Sequence, residues 1–431
     1  MSWSNWAGNQ AASPSSLVTP RDVDELAAAV KAAAEGGHRV KAIGSGHSFT
    51  SIGVTDGMQV DLSAMAQLVS ADQRTKLVTV QAGMPLRLVN RALAQVGLAL
   101  SNLGDIDVQT VAGALSTGTH GTGARIGGLS TQMRAMELVL ADGSVVHTSA
   151  DERPELFSAA RVGLGALGVL ATVTLQAEDA FALQAQEQPI ALPEVLAALD
   201  DLVGTNEHFE FYWFPHTTRT LTKRNNRLPA DVAPSPLNRG RALLEDEVLS
   251  NGLFALTCRL GRAWPALIPG INNVAAQLMG ARDYSDASHR VLVSRRRVRF
   301  VEMEYAVPVA AVGEALAGIE RVIAEQDLRV SFPVEVRFAA ADDIPLSTAS
   351  GRDTAYLAVH MFRGQPYERY FRAVESVMNA LDGRPHWGKL HYLEADTLRQ
   401  RYPRFDEFRA VRNAVDPDGC FSNDYLERVL G

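Results

Sequence analysis

A chain of 431 residues, 46% hydrophobic and 21% charged, has ordinary globular composition and enough length for two separately cored domains. Its net charge of −8 excludes binding driven by clustered Lys and Arg, so no nucleic-acid partner is expected. No run reaches the about 18 apolar residues that span a bilayer, the opening MSWSNWAGNQ has no leader pattern, and Cys258 and Cys420 sit in no metal or disulfide spacing; a cytoplasmic protein with no transmembrane segment is expected.

In chain order, Thr19-Pro20 predicts a helix start, with Val23, Leu26, Val30 and Ala33 on one face and Gly36-Gly37 as the stop. Strands follow at 39–43, 58–62 and 77–82, a helix at about 84–96, and a hairpin at 135–148 turning at Asp142-Gly143. Residues 168–175, GVLATVTL, form an apolar β-branched strand. After about residue 178 the texture changes: a helix near 192–203, the aromatic run FEFYWF at 209–214, then a Pro-, Asn- and Arg-rich stretch at 224–250 that reads as loop. The alternation of strand 298–306, helix 309–326, strands 330–339 and 354–363, and helix 366–381 predicts an antiparallel sheet covered on one side by helices. Arg295, Arg296, Arg297 and Arg299 read as a solvated strand end.

Four groups carry chemistry. GSGHSFTSIG at 44–53 ends a strand in Gly-Ser-Gly, whose backbone N–H groups converge closely enough to cradle a phosphate. It is not the dinucleotide fingerprint of three spaced glycines, and a plain tight turn is the alternative. LSTGTHGTG at 115–123 offers a second such loop around His120, as a long diphosphate cofactor needs, or else a surface glycine loop. Glu335 and Arg337 are two apart on a strand and leave the same face, either to grip a hydroxyl or as an exposed ion pair; His360 lies on the neighbouring strand. RPHWGKLHY at 384–392 concentrates His386, Trp387, Lys389 and His391 in a site loop or exposed turn; Lys389 can supply a fixed positive charge beside an anionic ring.

The order GSGHS, STGTHGTG, EVR, HWGK and DPDGCFSNDYL resembles the vanillyl-alcohol-oxidase type of flavoproteins, in its aldonolactone oxidase branch, with the alditol oxidases close. The resemblance covers nearly the whole chain and is weakest at 179–295. It implies a two-domain α+β fold: an FAD-binding domain at 1–178, completed by about 385–431, and an antiparallel-sheet substrate domain at 179–384. It implies an 8α-histidyl bond from His47 to FAD. Gly44, Ser45, Gly46 and Ser48 then fall on the pyrophosphate, Gly113, Thr117, Gly118, His120 and Gly121 on the other side of the cofactor, Val169 near the adenine and His386 beside the ring. Glu335, Arg337, Lys389 and His360 match the positions that hold substrate and flavin, without deciding which is the base. The implied reaction moves a hydride from a carbinol carbon of an aldono-1,4-lactone to flavin N5, with dioxygen as acceptor and hydrogen peroxide as product. A polyol substrate, a non-oxygen acceptor and a flavin protein without turnover are the alternatives. Gly104 and Asp105 are expected near the isoalloxazine: the small residue at 104 resembles the oxidase pattern, whereas Asp105 departs from the serine of alditol oxidases and disfavours a polyol substrate.

Overall fold

The computed structural model describes residues 2–238, 252, 254–294 and 297–431; Arg295 and Arg296 of the basic cluster, and residues 239–250 of the expected loop, lie outside them. Asp22, rather than Thr19-Pro20, starts the first helix: its carboxylate accepts the Glu25 N–H at 2.8 Å, and Val23–Glu35 then buries Leu26, Val30 and Ala33. The helix lies between parallel strands, as a parallel crossover requires: Ser16–Val18 and Val40–Ile43 flank Met58–Asp61 in a three-stranded sheet. A second, antiparallel sheet follows in the order Val145–Ser149, Met133–Val139, Val169–Gln176, Leu77–Gln81 and Leu68–Ala71.

The end of the chain returns to these sheets. The Cys420 carbonyl accepts the Val40 N–H at 2.8 Å, and the Asn423 amide donates to the carbonyls of Ser51, Ile52 and Val54.

Between lies one eight-stranded antiparallel sheet, ordered Arg282–Ala287, Ala182–Ala191, Arg219–Arg227, His208–Trp213, Val334–Ala339, Thr354–Phe362, Phe300–Pro308 and Arg384–Pro385. The expected helix at 192–203 is two short ones, Leu192–Ala197 and Leu199–Thr205, broken at Ala198. The stretch read as loop from 224 begins inside the strand Arg219–Arg227. Its buried positions are Thr220, Thr222 and Asn225, and the two threonine hydroxyls donate to the carbonyls of Ile190 and Gln188, so those two positions are satisfied by backbone without apolar side chains.

The central strands are buried on both faces. One face is apolar, with Phe211, Trp213, Val334, Val336, Leu357 and Met303, and the helices Val312–Glu325 and Glu368–Ala380 belong to this substructure. The other carries the alternate positions: Glu210, Tyr212, Glu302, Glu304, Glu335, Arg337, Tyr356 and His360. Charge at every second position of a buried strand requires partners within the fold.

Candidate active site

In the N-terminal half, Val40–Ile43 runs into Gly44, Ser45, Gly46, His47 and Ser48, which line a groove. Gly113, Ser116 and Thr117 line the same groove, as do Gly165, Gly168 and Leu170. Two observations explain the glycines: Gly46 and Gly118 hold φ of +66° and +78°, and a Cβ on Gly44 would sit 2.4 Å from Thr110 Oγ1. His47 stacks on Trp6 with centroids 5.2 Å apart, and burial pushes its imidazole down to about 4, so the ring is neutral at pH 7. Val169 itself points into the core, 1% exposed, leaving Gly168 and Leu170 on the groove.

The 384–392 segment is a buried loop rather than an exposed turn. Trp387 is fully buried and donates from Nε1 to the Leu346 carbonyl at 2.7 Å. The Gly388 carbonyl accepts the Phe49 N–H at 2.7 Å, so this loop lies directly against the His47 loop. Its other edge is bonded to the big sheet: the His386 N–H donates to the Glu304 carbonyl and the Leu390 N–H to the Glu302 carbonyl.

That placement brings Lys389 between two carboxylates, its Nζ 2.5 Å from Glu302 Oε1 and 2.8 Å from Glu304 Oε2. Burial lowers the proton affinity of the lysine, but both carboxylates reverse this and raise it above the usual lysine range. Glu302, despite burial, is held down to about 2 by Lys389 and His360, and Glu304 is held well below the usual range by Lys389 and His120. His120 extends the chain of contacts: Nε2 lies 2.8 Å from Glu304 Oε1, Nδ1 2.9 Å from the Gly121 carbonyl, and the ring stacks on Tyr356 at 3.4 Å. His360 closes the other end with Nε2 3.4 Å from Glu302 Oε1. His120, Glu304 and His386 offer ligand atoms within 4.8 Å of one another, but the Lys389 ammonium already fills the role of cation on Glu304.

A second cluster surrounds Arg337. Its Nε lies 2.8 Å from Glu210 Oε2, its Nη2 bonds Glu335 Oε1, and Asp105 Oδ1 is 3.7 Å away. The Tyr212 hydroxyl donates to Glu335 at 3.1 Å or to Glu210 at 3.2 Å, and Lys223 Nζ is 3.3 Å from Glu210. The pair Glu335 and Arg337 is therefore buried, not exposed. Burial would push the Glu210 carboxyl up; Arg337 and Lys223 hold it down. Asp105, Gly121, Glu210, Lys223 and Arg337 line a small chamber here. Gly104 abuts the second glycine loop: a Cβ there would lie 2.8 Å from Thr119 Cγ2.

A family model described as D-arabinono-1,4-lactone oxidase matches residues 173–429, and one described as FAD binding domain matches residues 14–149. The chain belongs to the aldonolactone oxidase family. It is 45% identical over 429 residues to an L-gulono-1,4-lactone dehydrogenase of Mycobacterium tuberculosis, covering 100% of this chain and 99% of that one. It is 34% identical to the L-gulonolactone oxidase of Bos taurus, covering 99% and 97%, and 31% identical to an alditol oxidase of Streptomyces, covering 99% and 98%. A cholesterol oxidase structure from B. sterolicum shares the fold, with TM-score 0.81 at 17% identity over 100% of this chain and 96% of that one. The protein is thus an FAD-dependent oxidoreductase acting on CH–OH groups. Its groove suits FAD: small residues of both glycine-rich segments line it, and at Gly44 a Cβ would collide with Thr110.

Sequence reasoning missed Glu210, Tyr212, Lys223, Glu302 and Glu304. The available signal was the alternation in FEFYW and VEMEY, where acidic residues interrupt otherwise apolar strands at period two. Lys41 was missed as well: fully buried at the groove, it donates to the carbonyls of Gly165 and Phe421, and burial and Arg412 push it down to about 7.

Proposed function

We propose that this enzyme oxidises an aldono-1,4-lactone, L-gulono-1,4-lactone or a close relative, at its C2 hydroxyl, with FAD bonded through its 8α carbon to His47. In this reading residues 1–178 with 385–431 form the FAD-binding domain and 179–384 the substrate domain. The observation that carries it is the buried guanidinium of Arg337, pinned by Glu335 and Glu210 at a polar chamber beside the cofactor loops. FAD supplies the hydride-accepting N5 atom.

Arg337 directs its guanidinium at the substrate oxygen and stabilises the negative charge that develops there. Glu335 fixes the hydroxyl that loses its proton. Lys389, held cationic by Glu302 and Glu304, supplies positive charge beside the ring instead of accepting a proton. His360, adjoining Glu302, is the remaining base candidate. Gly44, Ser45, Gly46 and Ser48 hold the pyrophosphate from one side, and Gly113, Thr117, Gly118, His120, Gly121 and His386 flank the cofactor on the other. A neutral His47 imidazole has a free ring lone pair for the covalent bond, which its low proton affinity supports. Acid precipitation of the holoenzyme should leave yellow flavin on the polypeptide, and His47→Ala should release it; free flavin in the wild-type supernatant contradicts the bond.

Dioxygen is the proposed acceptor, with hydrogen peroxide as product, because the small residue Gly104, packed against Thr119, resembles the oxidase pattern. The dehydrogenase name of the 45%-identical relative favours a second reading with a non-oxygen acceptor. Turnover of L-gulono-1,4-lactone followed by oxygen uptake and by dye reduction separates them. The oxidase reading expects Gly104→Ala to slow oxygen uptake while dye reduction persists; a wild type that reduces dye without consuming oxygen establishes the second.

A further inference from the structure

Among the described residues eleven large hydrophobic side chains are exposed, and six of them fall between Leu256 and Leu278: Leu256, Leu260, Trp264, Leu267, Val274 and Leu278. Scattered single apolar residues on a surface need no explanation, but six on one short segment do. They belong to two consecutive helices, Phe254–Ala263 and Ile268–Leu278. Leu256 and Leu260 are four apart on the first, and Val274 and Leu278 four apart on the second, so each helix carries its own outward apolar stripe. Trp264, 59% exposed, and Leu267 occupy the connection between them.

The inner side of this hairpin is firmly anchored. Cys258, Gly261, Ile268, Asn272 and Ala276 are buried, and a Cβ on Gly261 would lie 2.8 Å from Ile268 Cγ1, so the helices approach closely there. The Asn272 amide donates to the carbonyls of Pro215 and Val330, at 3.0 and 2.9 Å. Phe254 packs edge-on against Phe332 at 4.8 Å, and Phe332 stacks on His360. The outward stripe is therefore a fixed face, not the exposed inside of a loosened core.

Its charge indicates what covers it. From residue 254 to 281 the only charged side chains are Arg259 and Arg262, both exposed, in a chain whose net charge is −8. An apolar stripe with an indole at its tip, arginines beside it and no acid is the chemistry of a helix lying in the headgroup region of a bilayer. Helices of 10 and 11 residues are too short to cross one. A second copy of this chain is a poorer fit, because a two-fold contact would bring its arginines against these with no acid between them.

We propose that the Phe254–Leu278 hairpin is a docking face for a membrane surface containing anionic phospholipid. The rest of the acidic chain is repelled by such a surface, so binding depends on this face and weakens with salt. The test is co-sedimentation of the full-length holoenzyme with vesicles of phosphatidylcholine alone or mixed equally with phosphatidylglycerol. The holoenzyme should sediment with the anionic vesicles about tenfold more than with the neutral ones, and less in high salt. Trp264→Glu with Leu267→Glu should abolish sedimentation while retaining flavin and dye-reducing turnover. The control pair Leu68→Glu with Val69→Glu, exposed on the strand Leu68–Ala71, should sediment like wild type. A wild type that stays in the supernatant with both vesicles, or a Trp264→Glu/Leu267→Glu protein that still sediments, overturns the proposal. So does a wild-type dimer that those two substitutions dissociate without any vesicle binding, which would assign the face to a second copy.

Discussion

Replacing Arg337 by methionine keeps most of the side-chain volume and removes the charge on which the second cluster is built. Around the guanidinium stand Glu210, Glu335 and Asp105, with Lys223 as the other cation, so the substitution changes two positive charges against three negative into one against three. Breaking a buried ion pair from one side costs about 3–5 kcal/mol, because the carboxylates left behind are desolvated and mutually repelled. The thermal midpoint should fall by several degrees, and less below about pH 5, where the stranded carboxylates take up protons. Activity should fall further than stability explains. Removal of a preorganised donor from a developing oxyanion costs about 100- to 1,000-fold in kcat. Anaerobic mixing of the folded, flavin-loaded variant with L-gulono-1,4-lactone should reduce the flavin at least 100-fold more slowly than in wild type. Arg337→Lys keeps the charge but loses the fork that bonds two carboxylates at once, and should recover stability better than rate. A methionine variant that reduces its flavin within a few-fold of the wild-type rate would refute the role given to Arg337.

The first cluster predicts an acid-limb effect. Lys389 and His360 hold the buried Glu302 carboxyl below its ordinary range, so its charge stabilises the fold above pH 4.5 and that contribution is lost as pH falls through the depressed folded value. Glu302→Gln should remove that contribution, giving a protein less stable at pH 7 whose stability falls less steeply between pH 4.5 and 2, read by denaturant titrations across the range. Glu304→Gln replaces a carboxylate that serves both His120 and Lys389 with an amide whose NH2 must face one of them; flavin reduction should slow about tenfold or more, with KM little changed. Gly44→Ala forces Thr110 aside, loosening the hydroxyl that caps the helix Val111–Ser116. It should cost about 1 kcal/mol in unfolding and lower the flavin content of purified protein. Gly121→Ala is harsher: its Cβ would sit 2.2 Å from the rigid Leu103 carbonyl, and little soluble holoenzyme should accumulate.

What the sequence made legible were features written locally. The glycine loops around His47 and His120 need small residues at fixed backbone positions, and the Glu335-Arg337 pair is declared by period two on a strand. What it hid depends on pairing. Glu210 meets Arg337, and Glu302 meets His360, only because the strands His208–Trp213, Val334–Ala339, Thr354–Phe362 and Phe300–Pro308 lie side by side in a register that no single strand encodes. An alternating polar face reads as solvent-facing until a second layer is known to cover it. The strand Arg219–Arg227 escaped because its buried positions are polar, Thr220, Thr222 and Asn225, with the two threonine hydroxyls bonded to neighbouring backbone. The Phe254–Leu278 hairpin escaped because its outward apolar stripes blur the amphipathic pattern that marks an ordinary surface helix.

The central claim is that the flavin of this protein takes its electrons from an aldono-1,4-lactone held at Arg337. The most direct measurement is the visible spectrum of the wild-type holoenzyme mixed without air with L-gulono-1,4-lactone, and in parallel with xylitol. The account predicts that the lactone bleaches the oxidised flavin band in a single turnover while xylitol leaves it largely intact. A flavin that stays oxidised with the lactone, or bleaches with xylitol alone, would contradict it.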